Sequence, residues 1–202
     1  MREELDAKLC EKYPELFKNR YAPPNESLMC WGFDCGDGWY NLIDNLCILI
    51  DNHIMNDRRL VQYNKEYQKM REAALEGDWS LFNKSQEKLI AASTEDHSDW
   101  LQRQRNQLLG PVSEFLEQVE CKIEPVTVIQ VKEKFGGLRF YYDGGDEYIQ
   151  GAVSMAERMS YSICEECGNL GKSRSGGWIR TLCDQHATKY DYMDNEDIDN
   201  AR

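Results

Sequence analysis

Four side chains near the carboxyl end stand at a spacing that binds metal. Cys164 and Cys167 form a C-x-x-C pair, Cys183 and His186 form a C-x-x-H pair, and fifteen residues separate the two. A zinc ion takes four soft or borderline donors in a tetrahedron, and Cys₃His is a common closed set. A C-x-x-C turn aims two sulfurs at one metal, and Gly168 directly after it permits the tight turn. Two-residue gaps around a fifteen-residue loop match structural zinc spacing. Protein donors fill all four positions, so the expected ion holds shape and does no chemistry. Removing one ligand is expected to unfold the module locally, because metal binding supplies its folding energy.

The loop between the pairs carries Gly171, Gly176 and Gly177, then the β-like run 178–182. Cys183 and His186 fall three apart, on one face of a helical turn. The layout is treble-clef-like, with a plain zinc ribbon as the alternative. Lys172, Arg174 and Arg180 lie in this loop, and no acid occurs from Cys167 to Leu182. Such a loop suits phosphate contact and nucleic-acid binding, or it is a solvated loop beside an acidic body.

Other reactive side chains form weaker sets. Cys30, Cys35, Cys47 and His53 fit no standard metal spacing, and Cys47 and His53 stand some 9 Å apart along a helix axis. Free cysteines are more often small buried hydrophobes. A Cys–His nucleophile from Cys30 or Cys35 with His53 would need an activated thiolate, which nothing in the flanks marks. Acids beside glycines (Asp34, Asp37, Asp143, Asp146) read as turn residues. Phosphate-loop, dinucleotide-binding and H-E-x-x-H motifs are absent. The sequence therefore assigns no catalytic residue.

The elements that position these groups follow from periodicity. A first helix is expected over 3–19, with Leu5, Leu9 and Tyr13 as its stripe and a break at Pro14. A stronger one starts at Asp37 or Gly38, carries Trp39, Leu42, Ile43, Leu46, Leu49, Ile50, His53 and Ile54, and ends near Asn56. Residues 57–109 are helix-rich, broken at Gly77-Asp78 and at 93–98, with Asp78 as a cap. A short helix over 113–119 follows. Residues 126–131 and 138–142 read as a hairpin turning at Gly136-Gly137. Its mixed face invites base stacking on Phe135, Phe140 or Tyr142 with Lys132, Lys134 and Arg139 nearby, or else it packs one aromatic face on the helices. Asp146 caps a helix through Met159. The fold class is α+β: a mainly helical body with one β-hairpin over 1–160, a helical insertion at 57–100, the zinc module at 161–190 and an acidic tail at 191–202.

Composition limits the function classes. The chain has 202 residues, 41% hydrophobic and 30% charged, with net charge −12. That is a globular balance, not a disordered one. No apolar run approaches the roughly 20 residues of a membrane span, and the amino-terminal residues lack a signal-peptide layout. A cytoplasmic protein is expected, with the eight cysteines outside a disulfide framework. The negative field disfavours nucleic acid and anionic lipid globally, without excluding a local basic patch, and it leaves open binding to a basic protein surface.

Three segments together look like one family. Residues 30–40 (CWGFDCGDGWY), 131–141 (VKEKFGGLRFY) and 164–186 (CEECG through GWIRTLCDQH) resemble a family of bacteriophage and prophage proteins. The resemblance covers most of the chain except 57–100. It carries no activity to transfer and implies a context, the cytoplasm of a bacterial host cell. The expectation is a non-enzymatic accessory protein with structural zinc that binds a host protein, including one of a defence or regulatory system. The alternative is a zinc-dependent nucleic-acid-binding protein using Lys172, Arg174 and Arg180.

Overall fold

The computed structural model describes residues 1–91, 97–175, 177–190 and 193–194. The protein is α+β and divides into two compact units, one of residues 1–54 with 123–202 and one of residues 55–122. The C-terminal metal module thus clusters with the first unit, and the second unit extends beyond 57–100 on both sides.

In the first unit, α1 (Glu3–Lys12) stops at Tyr13, just before Pro14, which cannot continue a helix. Leu9, Tyr13, Leu16 and Phe17 still reach the core through the turns that follow. A 3₁₀ turn at Leu28–Trp31 is capped by Ser27, whose Oγ accepts from the Met29 amide. β1 (Phe33–Asp34) and a second 3₁₀ turn at Asp37–Trp39 lead into α2 (Tyr40–Leu75). Trp39, Ile43, Leu46, Cys47 and Ile50 bury one face of its first turns. The expected end near Asn56 does not occur: the polar stretch there contains no helix breaker, and α2 continues to Leu75.

β2 (Glu124–Lys134) and β3 (Gly137–Gly145) form the expected hairpin, and β1 adds a parallel strand to β2. Val126 and Val128 are buried two apart, and Val131 three further on. An irregularity in the register between Val128 and Gln130 supplies the extra residue that keeps all three inward. The turn is one residue earlier than expected. Lys134 pairs with Gly137, so Phe135 (φ 54°) and Gly136 (φ 77°) are the central residues. Two successive left-handed residues are what a type I′ hairpin requires.

Asp146 caps α6 (Glu147–Ser160), its Oδ1 accepting from the Ile149 amide at 3.1 Å. α6 covers the free edge of β3. The Leu138 amide donates to Ser160 Oγ at 2.8 Å, and the Phe140 amide donates to Glu157 Oε1 at 2.9 Å. Leu138, Phe140, Ile149, Val153 and Ala156 complete the core of this unit.

The second unit holds residues 55–75 of α2, α3 (Ser80–Ala91), α4 (Ser98–Leu109) and a single turn, α5 (Glu114–Glu117). Asp78 Oδ1 accepts from the Ser80 amide at 2.8 Å, as a start signal should. Ala74, Phe82 and Leu108 form its small core with Tyr67, Met70, Trp79 and Leu101. Asn64, fully buried, donates to the carbonyls of Phe115 and Gln118. Most of the polar break at 93–98 lies outside the described residues. No helix among the described residues is long and apolar enough to cross a membrane.

Candidate metal centre

After α6 the chain makes a knuckle. The Cys164 amide donates to Asn169 O at 2.7 Å and the Gly168 amide to Cys164 O at 2.8 Å, with Gly168 at φ 79°. β4 (Lys172–Ser175) and β5 (Arg180–Leu182) then pair antiparallel. Cys183 stands at the start of α7 (Asp184–Lys189), and its carbonyl accepts from the Ala187 amide. This turn brings His186 back over Cys183. A two-residue strand, β6 (Met193–Asp194), lies against β4, and the rest of the acidic tail at 191–202 is outside the described residues.

The four expected donors converge. Ligand atoms of Cys164, Cys167, Cys183 and His186 all lie within 4.8 Å of one another, and they are the metal-competent cluster among the described residues. Cys167 Sγ is 3.8 Å from Cys183 Sγ, and His186 Nδ1 is 3.6 Å from Cys164 Sγ and 3.2 Å from Cys183 Sγ. Metal–sulfur bonds of about 2.3 Å and metal–nitrogen bonds of about 2.0 Å at tetrahedral angles require edges of roughly 3.8 Å and 3.5 Å. The donor set therefore fits one ion with four protein ligands. Cys164 is buried and Cys167 exposed, with Cys183 and His186 half-buried. The His186 amide, first among several donors, draws the Cys183 thiol down to about 7, while burial raises that of Cys167. Leu182 and Ala187 pack behind Cys164.

The knuckle sits on a second piece of the chain, the segment 35–39 with its sequence C-G-D-G-W. The Gly38 amide donates to Glu165 O at 2.7 Å, and the Gly36 amide to Glu165 Oε1 at 3.0 Å. Trp39 Nε1 donates to Ile163 O at 2.9 Å. A Cβ on Gly38 would stand 2.2 Å from Cys164 O and 2.5 Å from the Gly168 nitrogen. Gly38 is thus required for backbone-to-backbone contact. The hairpin turn closes the other side, with Thr181 Oγ1 donating to Gly136 O at 2.6 Å. The segments 30–40, 131–141 and 164–186 meet here. Sequence reading took Asp37 as a turn residue and Asp37 or Gly38 as a helix start, and gave the glycines at 36 and 38 no docking role. Their signal was two glycines flanking one acid directly before a core tryptophan.

The basic residues of the loop between the two ligand pairs are placed differently from an open phosphate surface. Arg174 is 4% exposed, donates to Leu182 O at 3.2 Å and pairs with Asp184. Arg180 pairs with Glu165 at 3.2 Å and Glu166 at 2.5 Å. Lys172, at the start of β4, is exposed and also has a partner.

Outside the metal cluster, the cysteines of the first unit are Cys10 and Cys30, half-buried, and two that lie in the core. Cys35 and Cys47 are buried, and burial pushes the Cys35 thiol up to about 12 and that of Cys47 well above its usual value. A polar cavity of about 430 Å³ takes Cys35 into its lining but neither Cys30 nor Asp37. Asp37 instead receives the Arg2 amide and guanidinium. His53 bonds Asp146 at 2.8 Å and stacks on Tyr148 at 4.2 Å. Of the hairpin rings singled out for stacking, Phe140 is in the core and Phe135 is outside, 66% exposed. Tyr141, which sequence reading passed over, is the exposed ring of the strand.

Compared with protein-family models, with curated proteins and with solved structures, the chain gives no match in any of the three.

Proposed function

We propose that this is a non-enzymatic, phage-type accessory protein that binds a host protein in the bacterial cytoplasm and holds its shape with a structural zinc ion. The order of knuckle, paired strands and a helix opening with two ligands supports a treble-clef reading of the zinc module. Three sulfurs and one imidazole favour zinc over harder cations. A closed donor set leaves the ion no vacant position for catalysis.

The observation that carries the partner reading is an apolar groove of about 330 Å³ between the first turns of α2 and α6. Leu42, Leu46 and Leu49 line one side, and Met155, Met159 and Ile163 the other. Leu49 is 38%, Met159 44% and Met155 55% exposed, an unusual outlay of large apolar side chains on a charged chain. Methionine adapts to varied apolar partners. The net charge of −12 suits a partner whose apolar contact residues are flanked by basic ones. Inhibition of a host defence or regulatory system fits such binding. The zinc-loop alternative has less support, because Arg174 and Arg180 are engaged within the module.

Two measurements test the reading. Metal analysis of the purified chain should return one zinc per protein, lost in Cys164→Ser. Affinity capture from bacterial lysate should return a stoichiometric protein that Met155→Asp no longer retains, with the variant's thermal midpoint unchanged. A folded metal-free chain, or capture indifferent to Met155→Asp, overturns it.

A further inference from the structure

We propose that the outer face of the β2–β3 hairpin binds single-stranded nucleic acid, with unpaired bases stacking on Phe135 and Tyr141 and with Lys132 and Lys134 meeting the phosphodiester backbone. This surface shares no residue with the α2–α6 groove or with the arginines of the metal module. It therefore stands or falls independently of the partner reading.

Register places the groups. Val131 pairs with Phe140, and both point into the core, 0% and 2% exposed. Strand alternation then sends their neighbours outward. Lys132 is opposite Arg139, and Gln130 is opposite Tyr141. Lys134 follows on the same face, next to the turn. The Lys132 ammonium lies 5.6 Å from the Tyr141 ring centre, and the Lys134 ammonium 5.5 Å from that of Phe135. Arg139 flanks them, held by the Tyr161 hydroxyl at 2.8 Å. Cations alternating with exposed rings are the pattern that tracks a single strand, because every base offers a face to stack and every link a charge to meet.

Phe135 adds a second, independent observation. It is the one described non-glycine residue at positive φ, 54°, yet its ring is 66% exposed. Asn, Asp or Gly suits that turn position without the steric cost a large side chain carries there. The ring offsets little of that cost by burial within the chain. A strained backbone that displays an aromatic ring points to a use for the ring outside the fold.

Acids limit the site. Asp34 on β1 pairs in register with Lys132, and Asp143 lies two residues beyond Tyr141 on β3. Two or three phosphates can be met. At about −0.7 per phosphate for single strands, log affinity should fall with log salt at a slope of roughly −1.4 to −2.1. Between 50 and 200 mM salt that is roughly a 7- to 20-fold loss.

The test uses the zinc-loaded full chain and a fluorescein-labelled fifteen-nucleotide oligothymidylate, read by anisotropy. Saturable binding with that slope is expected, at least tenfold weaker for a duplex of the same length. Phe135→Gly should weaken binding about tenfold or more while keeping or raising the thermal midpoint, since glycine suits this φ. Lys134→Gln should reduce the slope by about 0.7, and Asp34→Asn should tighten binding. Absence of saturable binding at 50 mM salt overturns the proposal, as does equal affinity of Phe135→Gly. Phe135-dependent binding of polyglutamate in place of the oligonucleotide overturns it in favour of an acidic protein.

Discussion

Replacing Gly38 by Ala tests whether the metal knuckle depends on the loop beneath it. The added Cβ would meet Cys164 O at 2.2 Å, the Gly168 nitrogen at 2.5 Å and the Cys167 nitrogen at 2.7 Å. All three are backbone atoms, so no side chain can swing away. The loop must lift, and with it go the bonds from the Gly38 amide to Glu165 O and from Trp39 Nε1 to Ile163 O. Each such bond is worth about 1 kcal/mol net, and overpacking of a tight contact adds roughly 1–3 kcal/mol. We expect a loss of roughly 3–5 kcal/mol, measured by urea unfolding of the metal-loaded protein through tryptophan fluorescence. Chelator competition should show faster zinc release as well. Gly151→Ala is the matched control, because nothing lies within 4 Å of its Cβ and it sits inside α6. That change should stabilise by about 0.5–1 kcal/mol. If Gly38→Ala costs less than about 1 kcal/mol, or releases zinc no faster than wild type, the docking argument is wrong.

Other expectations concern separate parts of the molecule. Cys183→Ser should abolish stoichiometric metal binding and, in place of the local unfolding expected from the spacing alone, lower the unfolding midpoint of the whole first unit, because the module clusters with that unit; calorimetry checks this, and a purely local loss refutes it. Burial pushes the Asp146 carboxyl up, but His53 and the first amides of α6 outweigh it and hold the group below its ordinary range. Its contribution is thus complete above the unfolded value near ~3.9 and disappears as pH falls through the lower folded value. Asp146→Ala should cost about 1 kcal/mol at neutral pH through the lost cap, and this difference should shrink below about pH 4 in acid unfolding curves. Leu138→Ala removes a fully buried side chain of the hairpin and should cost roughly 2–5 kcal/mol by urea titration. In the second unit, Asn64→Ala should destabilise by roughly 1–3 kcal/mol, since it removes a fully buried side chain and strips the carbonyls of Phe115 and Gln118 of their donor.

The four metal donors were legible because their spacing alone encodes a tetrahedron, and no distant residue is needed to recognise it. The hairpin, the cap at Asp146 and the start signal at Asp78 were legible for the same local reason. What escaped depends on tertiary context. β1 has two residues and no periodicity to read, and it exists as a strand because β2 offers an edge beside it. The length of α2 escaped because a polar stretch is not a stop signal. Phe135 in the turn was unforeseen because Gly137, on the other side of Gly136, looked the better candidate, yet Gly137 is needed where the Tyr161 ring would meet a Cβ at 2.4 Å. Arg174 read as a surface charge because composition shows sign and not direction.

The bond from Trp39 to Ile163 spans 124 positions of sequence. On the ribosome, the seat for the knuckle is made 124 positions before the residue that covers it. Until then Trp39 and its neighbours wait without their covering. Closure over an ion therefore waits until both halves of the donor set have been made, and a chain cut short before Cys183 leaves that seat uncovered. The clasp thus ties two distant stretches of chain to one event, since only a molecule holding both halves of the donor set can shut it.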